Sequence, residues 1–334
     1  MTTRRSDIAS WILAGVALAG MLRFGLLPSL LAGLLVYELV HVVAARLGFL
    51  RVGAQRGKLV SVGLLASAVV VALVAAGYGM VAFVRSEAGS LSAVVARLAE
   101  IIEGARGTLP DVLMDMLPDN ADDLKAALVE WLREHAKELQ HAGAEIGLGL
   151  AHVLVGMVIG AMVSLSDARP AAELGELARS LRERAVRLGD AFRRIVFAQV
   201  RISALNTVLT AAFLWIVLPA FGVKLPLLKT MVAVTFVAGL LPVVGNLISN
   251  TLIVVIGLSQ GACVALACLA FLVVVHKLEY IVNARIVGAQ IQARAWELLV
   301  AMLAMEAAFG IAGVVAAPVY YAYLKDELKA RGLL

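Results

Sequence analysis

The sequence predicts an all-α, polytopic integral membrane protein, one of whose apolar segments is broken at Pro242. Three observations carry that prediction. Hydrophobic residues make up 62% of the chain and charged ones 16%, and mean hydropathy is +0.93, leaving too little polar surface to enclose a water-soluble globule. Runs such as residues 59–84 hold no charge, and a span needs roughly 20 apolar residues because hydrocarbon offers backbone amides no partner. The chain has 29 Gly and only 6% aromatics, a small-residue composition that lets membrane helices approach closely.

Residues 1–84 read as three spans. The N-terminal run resembles a signal peptide after Arg4 and Arg5, but lacks a cleavage site and reads as a retained span. The first apolar run, 8–27, stops at Pro28, whose ring suits the first turn of a following helix. A second run, 28–45, leads into Arg46, Arg51, Arg56 and Lys58 with no acid among them, the mark of a cytoplasmic loop. The third span, 59–84, then exits into residues 85–145, where twelve acids face six bases. Leu91, Val94, Leu98 and Ile101 recur at helical spacing there, as do Leu124, Leu128 and Leu132, so this is a helical extracytoplasmic insert. Breaks are expected at 104–110 and at Pro118, and Asp119 or Asn120 as an N-cap.

Residues 146–166 form a fourth span carrying Gly156 and Gly160, a small-xxx-small pair suited to helix contact. Residues 167–201 are an amphipathic basic helix, with Leu174, Leu181, Leu188 and Phe192 on one stripe and six arginines elsewhere. It reads as lying on anionic lipid, with a coiled coil as the alternative. Residues 202–334 are apolar and read as the transport core: a span at 202–221, a run at 230–258 interrupted by Pro242, a run at 262–282 and a last span at 298–324. Pro242, Gly245 and Asn246 put irregular backbone inside hydrocarbon, tolerated only where protein or a water-filled cavity receives it. An ordinary proline kink is the alternative. Run 230–258 either crosses, the favoured reading, or re-enters as a hairpin.

Several strings here resemble one family: Leu241-Pro242-Val243-Val244-Gly245, then Glu279 to Asn283 and Gly288, then Leu298-Leu299, and Phe309-Gly310 with Gly313 and Pro318. The chain resembles the autoinducer-2 exporter family of bacterial membrane transporters, a group of permeases that includes some sodium/proton antiporters. That resemblance implies eight membrane-embedded helical segments, a bacterial inner-membrane location and a homo-oligomer, a pentamer. Ala284 after Asn283, Leu240 and Glu306 depart from the family pattern.

Candidate transport or ion-coupling residues are Pro242, Gly245, Asn246, Glu279, Asn283 and Glu306; candidate packing residues are Gly156, Gly160, Gly310 and Gly313. Glu279 and Asn283 lie one turn apart on one helical face. Glu306 stands alone in an apolar run, where desolvation would favour its neutral form and permit proton exchange. Glu38 and His41, near a span end, are expected to reach water. Glu134, Glu138, His141 and Glu145 read as a solvated helix face. Cys263 and Cys268 read as packing residues.

No phosphate loop, nucleophile elbow or zinc-protease motif is present, so no enzymatic chemistry, cofactor or metal is expected. The formal charge of +5 is spread in clusters between spans, which points to lipid and not to nucleic acid. The function expected is secondary transport of a small solute, or exchange of a monovalent cation for protons, near the Pro242 break. The alternative is an oligomeric scaffold that binds partners through its external insert.

Overall fold

The computed structural model describes residues 2–48, 54–85, 121–166, 173–240, 244–258, 260–291 and 294–334. Among them the chain is helical, without a strand. The helices are α1 (Thr2–Arg23), α2 (Leu27–Gly48), α3 (Ala54–Arg85), α4 (Ala121–Glu134), α5 (Ala136–Leu165), α6 (Glu176–Ala212), α7 (Leu228–Gly239), α8 (Val244–Leu258), α9 (Ala262–Ile291) and α10 (Ala295–Ala330). Five stretches of the described chain are long and apolar enough to cross a membrane. Their outer faces stay apolar: Val16, Leu35, Leu148, Val208 and Leu303 are all exposed, as a lipid-facing surface requires. The chain is a multi-pass membrane protein.

Local chemistry sets the element ends. α1 stops because Gly25 takes φ +68 and the Leu26 amide bonds back to the Met21 carbonyl at 2.8 Å, a glycine cap that satisfies a terminal carbonyl. α5 begins at Ala136, ten residues before the expected span, because no glycine or proline pair separates the insert from the membrane run. α6 likewise continues from the basic stripe into the apolar run, through a π-helical turn at Phe213–Val217 and a last turn at Leu218–Ala220. The insert's first part, with its expected breaks and N-cap, and Pro242 itself lie outside the described residues.

The run at 230–258 is not one rod. Met231 of α7 shares a buried cluster with Ile253 and Ile256 of α8, so the two short helices fold back on each other as a hairpin, which corrects the favoured reading of a crossing.

The expected last span is also folded. α10 is interrupted at Gly310, with φ 63 and ψ −146. Glu297 meets Lys325, 28 residues later, at 2.7 Å; a straight helix would hold them roughly 42 Å apart. Residues 295–309 and 311–330 are therefore the arms of a second hairpin.

The chain divides into two compact units: Met1–Leu73 with Ala142–Phe197 and Val287–Leu334, and Val74–His141 with Ala198–Ile286. The first is centred on Ala191, Phe192, Ile195, Val319, Ala322 and Tyr323, with Leu22, Leu27 and Ala316 adjoining one another elsewhere. The second is centred on Phe213, Leu214, Met231, Ile253, Cys268 and Leu272, where Phe213 and Phe271 stack at 3.9 Å.

Candidate functional site

In the second unit, α7 and α8 have 12 and 15 residues, about 18 and 22 Å of helix, short of the ~30 Å hydrocarbon core. The end of such a helix leaves terminal carbonyls without intrahelical partners. α6 supplies them. Gln199 Nε2 donates to the Gly239 carbonyl at 2.7 Å, and Ser203 Oγ donates to the Phe236 carbonyl at 2.7 Å. Gly239 is required for this approach: a Cβ there would stand 2.7 Å from Ser203 Oγ. Across the break, a Cβ on Gly245 would collide with the Ala238 carbonyl, so glycine lets the start of α8 touch the end of α7.

The polar groups continue along α6. Gln199, Ser203, Asn206 and Thr210 follow spacings of four, three and four, one face of a helix. Ser203, Asn206 and Thr210 are buried. The Thr210 hydroxyl is enclosed and has no hydrogen-bond partner among the described residues, a condition that costs free energy and calls for an explanation. Ser249 of α8 and Thr235 of α7 are also buried, each donating to the carbonyl four residues back. None of these six side chains is ionisable, so the buried polar groups on α6, α7 and α8 are amides, hydroxyls and backbone carbonyls. They suit a small polar solute, or a cation that exchanges water for neutral oxygens.

Of the candidates from sequence, Gly245 is at this break. Asn246 is on the first turn of α8, and Glu279 and Asn283 are one turn apart on α9; the side chains of all three lie outside the described residues. Gln199, Ser203, Asn206 and Thr210 were missed. Their signal was present as polar residues recurring on one face of an otherwise apolar run.

The first unit holds the remaining candidates. Gly156 and Gly160 of α5 lie against α2: a Cβ on the former would collide with the Ser29 carbonyl, and one on the latter with the Gly33 carbonyl. Ser29 Oγ donates to the His152 carbonyl at 2.5 Å beside them. Gly310 is the bend of α10, and a Cβ on Gly313 would collide with the Met305 carbonyl of the opposite arm. Glu306, one turn before the bend, is exposed. Glu38, expected to reach water, is instead buried at 7% exposure, with its carboxylate over Gly189 of α6.

A charged cluster gathers both ends of the described chain in this unit. The Glu327 carboxylate accepts from Arg184 at 2.5 Å, Arg187 at 2.8 Å and Trp11 Nε1 at 3.2 Å. Asp7 pairs with Arg331 at 2.7 Å, and Asp326 pairs with Arg194. Arg184 and Arg331 both lie over the Trp11 ring. The arginines expected to face lipid phosphates are in part turned inward to acids near the end of α10.

Long apolar helices with apolar outer faces, together with shorter apolar helices folded back as hairpins, define a class: polytopic α-helical membrane proteins. The sequence profile of the AI-2E family transporter matches residues 8–331, nearly the whole chain, and the protein belongs to that family. It is a membrane transporter. No curated protein and no solved structure gives a match.

Proposed function

We propose that this chain is a secondary transporter of the bacterial inner membrane, whose solute path includes the α7–α8 break and the polar face of α6. The observation that carries the reading is the capping of α7 carbonyls by Gln199 and Ser203, with a buried Thr210 hydroxyl, about two turns further along α6, that has no partner among the described residues. Two hairpin arms packed for stability alone would be better served by apolar contacts, since a half-satisfied polar site costs free energy. A small polar solute gives those groups partners during passage, and so does a monovalent cation exchanged for protons.

Flux into proteoliposomes, under imposed solute, sodium and proton gradients, tests this. Ser203→Ala and Thr210→Val retain size and remove a hydroxyl. Each is expected to alter the concentration dependence of flux while the protein stays folded and associated. Flux by both variants with unchanged concentration dependence would remove this face from the path. No flux under any gradient would favour the scaffold reading, in which homo-oligomers bind partners through the external insert.

A further inference from the structure

The two arms of the α10 hairpin are held very differently. Arm 311–330 buries Ala316, Ala317, Val319, Ala322, Tyr323 and Glu327. Among the described residues of arm 295–309 none is buried, and Trp296, Leu299, Val300 and Leu303 are exposed. Leu298, Ala301 and Met302 of that arm are half-buried, and three features hold it. At the bend, Gly310 has a backbone conformation that glycine adopts without penalty and other residues do not. Near the bend, Met305 and Phe309 pack on the cluster of Leu22, Leu27 and Ala316. At the open end, the Glu297 carboxylate accepts from Lys325 Nζ at 2.7 Å and from Tyr321 Oη at 2.6 Å.

The partners of Glu297 are themselves anchored. Asp326 and Glu327, the residues after Lys325, bind Arg194 and Arg184 of α6, and Glu327 also holds Trp11 of α1. The second arm is thus fixed to two other helices. The first meets Leu22 of α1 and Leu27 of α2 only near the bend, and its open end is tied to the second arm through Glu297.

We propose that arm 295–309 is a hinged flap, with Gly310 as its hinge and the contacts of Glu297 with Lys325 and Tyr321 as its catch. Segments with few buried contacts open at low free energy, and rigid arms swing about a few residues that absorb the backbone change. A straight helix with scattered contacts would have no such division. The catch has the character of a release: its charged side chains are 12% and 18% exposed, shielded enough to pair and open enough for water to replace the pair. Opening uncovers the Met305 and Phe309 face toward the bend. This device is independent of the transport reading, because the experiment reads backbone opening and not flux.

Hydrogen–deuterium exchange followed by mass spectrometry on the full chain in lipid nanodiscs tests it. Glu297→Lys places like charges at the catch. Exchange of amides 297–309 is expected to rise about two- to five-fold, the scale of one ion pair still open to water, with 311–330 unchanged. The exchanged pair Glu297→Lys/Lys325→Glu is expected to return that segment toward the wild-type rate. Tyr321→Phe, which leaves the charges in place, is expected to give a smaller rise in the same amides. Equal acceleration of both arms would show that the contacts hold the hairpin as a whole. No acceleration in either single variant would show that they hold nothing. Either result overturns the flap.

Discussion

Replacing Gly156 by alanine adds one methyl group where α5 crosses α2, and the structure sets the size of the effect. That methyl would overlap the Ser29 backbone, whereas ordinary contact begins at 3.4 Å. The helices must therefore part by on the order of 1 Å, a gap that forfeits a quarter to a half of each dispersion contact along the crossing. The Ser29 hydroxyl, now 2.5 Å from the His152 carbonyl, would be drawn toward about 3.5 Å, where little of a hydrogen bond remains. Overpacking costs about 1–3 kcal/mol and the interhelical bond about 0.6 kcal/mol. A loss of roughly 2–4 kcal/mol is expected from the two together. Gly149 is an internal control on the same helix: nothing lies within 4 Å of a Cβ there, so Gly149→Ala should be neutral or slightly stabilising through helix propensity. Unfolding by SDS titration in mixed micelles measures both. If Gly156→Ala falls within about 0.5 kcal/mol of Gly149→Ala, close approach at this crossing does not contribute as reasoned.

Three other outcomes are expected. Arg184→Met leaves the Glu327 carboxylate buried with fewer donors and should cost about 3–5 kcal/mol in the same titration, while Arg184→Met/Glu327→Met should recover most of it; a double variant as weak as the single would contradict this. A cysteine at Gly332 should label from the same side of the membrane as one at Ser6, since Asp7 binds Arg331, and from the side opposite to one at Asn120. If Glu306 couples transport to protons, Glu306→Gln in a folded protein should lose the pH dependence of proteoliposome flux; an unchanged pH profile assigns Glu306 a structural role.

Much of this architecture was legible because hydrocarbon permits few solutions. Charge-free runs such as 59–84 announce spans, and the Gly156–Gly160 spacing drew attention to a face that the structure places against α2. Helix ends were harder. The junctions at 145–146 and 201–202 looked like boundaries because polarity changes there, yet the backbone continues as α5 and α6, since polarity alters the solvent of a helix and not its hydrogen bonding. The fold in α10 was hidden for the opposite reason. Nothing polar marks Gly310 in an apolar run, and glycine is too common in this chain to signal a bend. Glu306 stands out in sequence as a lone acid in an apolar run, and the structure places its side chain on the outer face of that arm. Gln199 and Ser203 were unread as site residues because their partners, the carbonyls of α7, exist only once the hairpin forms.

The π-helical turn in α6 has a consequence of its own for how this chain tolerates change in length. Phe213 and Leu214 are buried while Trp215, Ile216 and Val217 face outward, so the turn carries one more residue than an α-helical turn needs, and that residue is on the outside. Deleting one residue elsewhere in a packed helix rotates everything beyond it by about 100° and exposes its core face. Deleting Ile216 would convert the wide turn to an ordinary one and leave Phe213 and Leu214 in place. The apolar helix should absorb that deletion with its fold intact, whereas removal of Thr210, on the packed face, should not be absorbed.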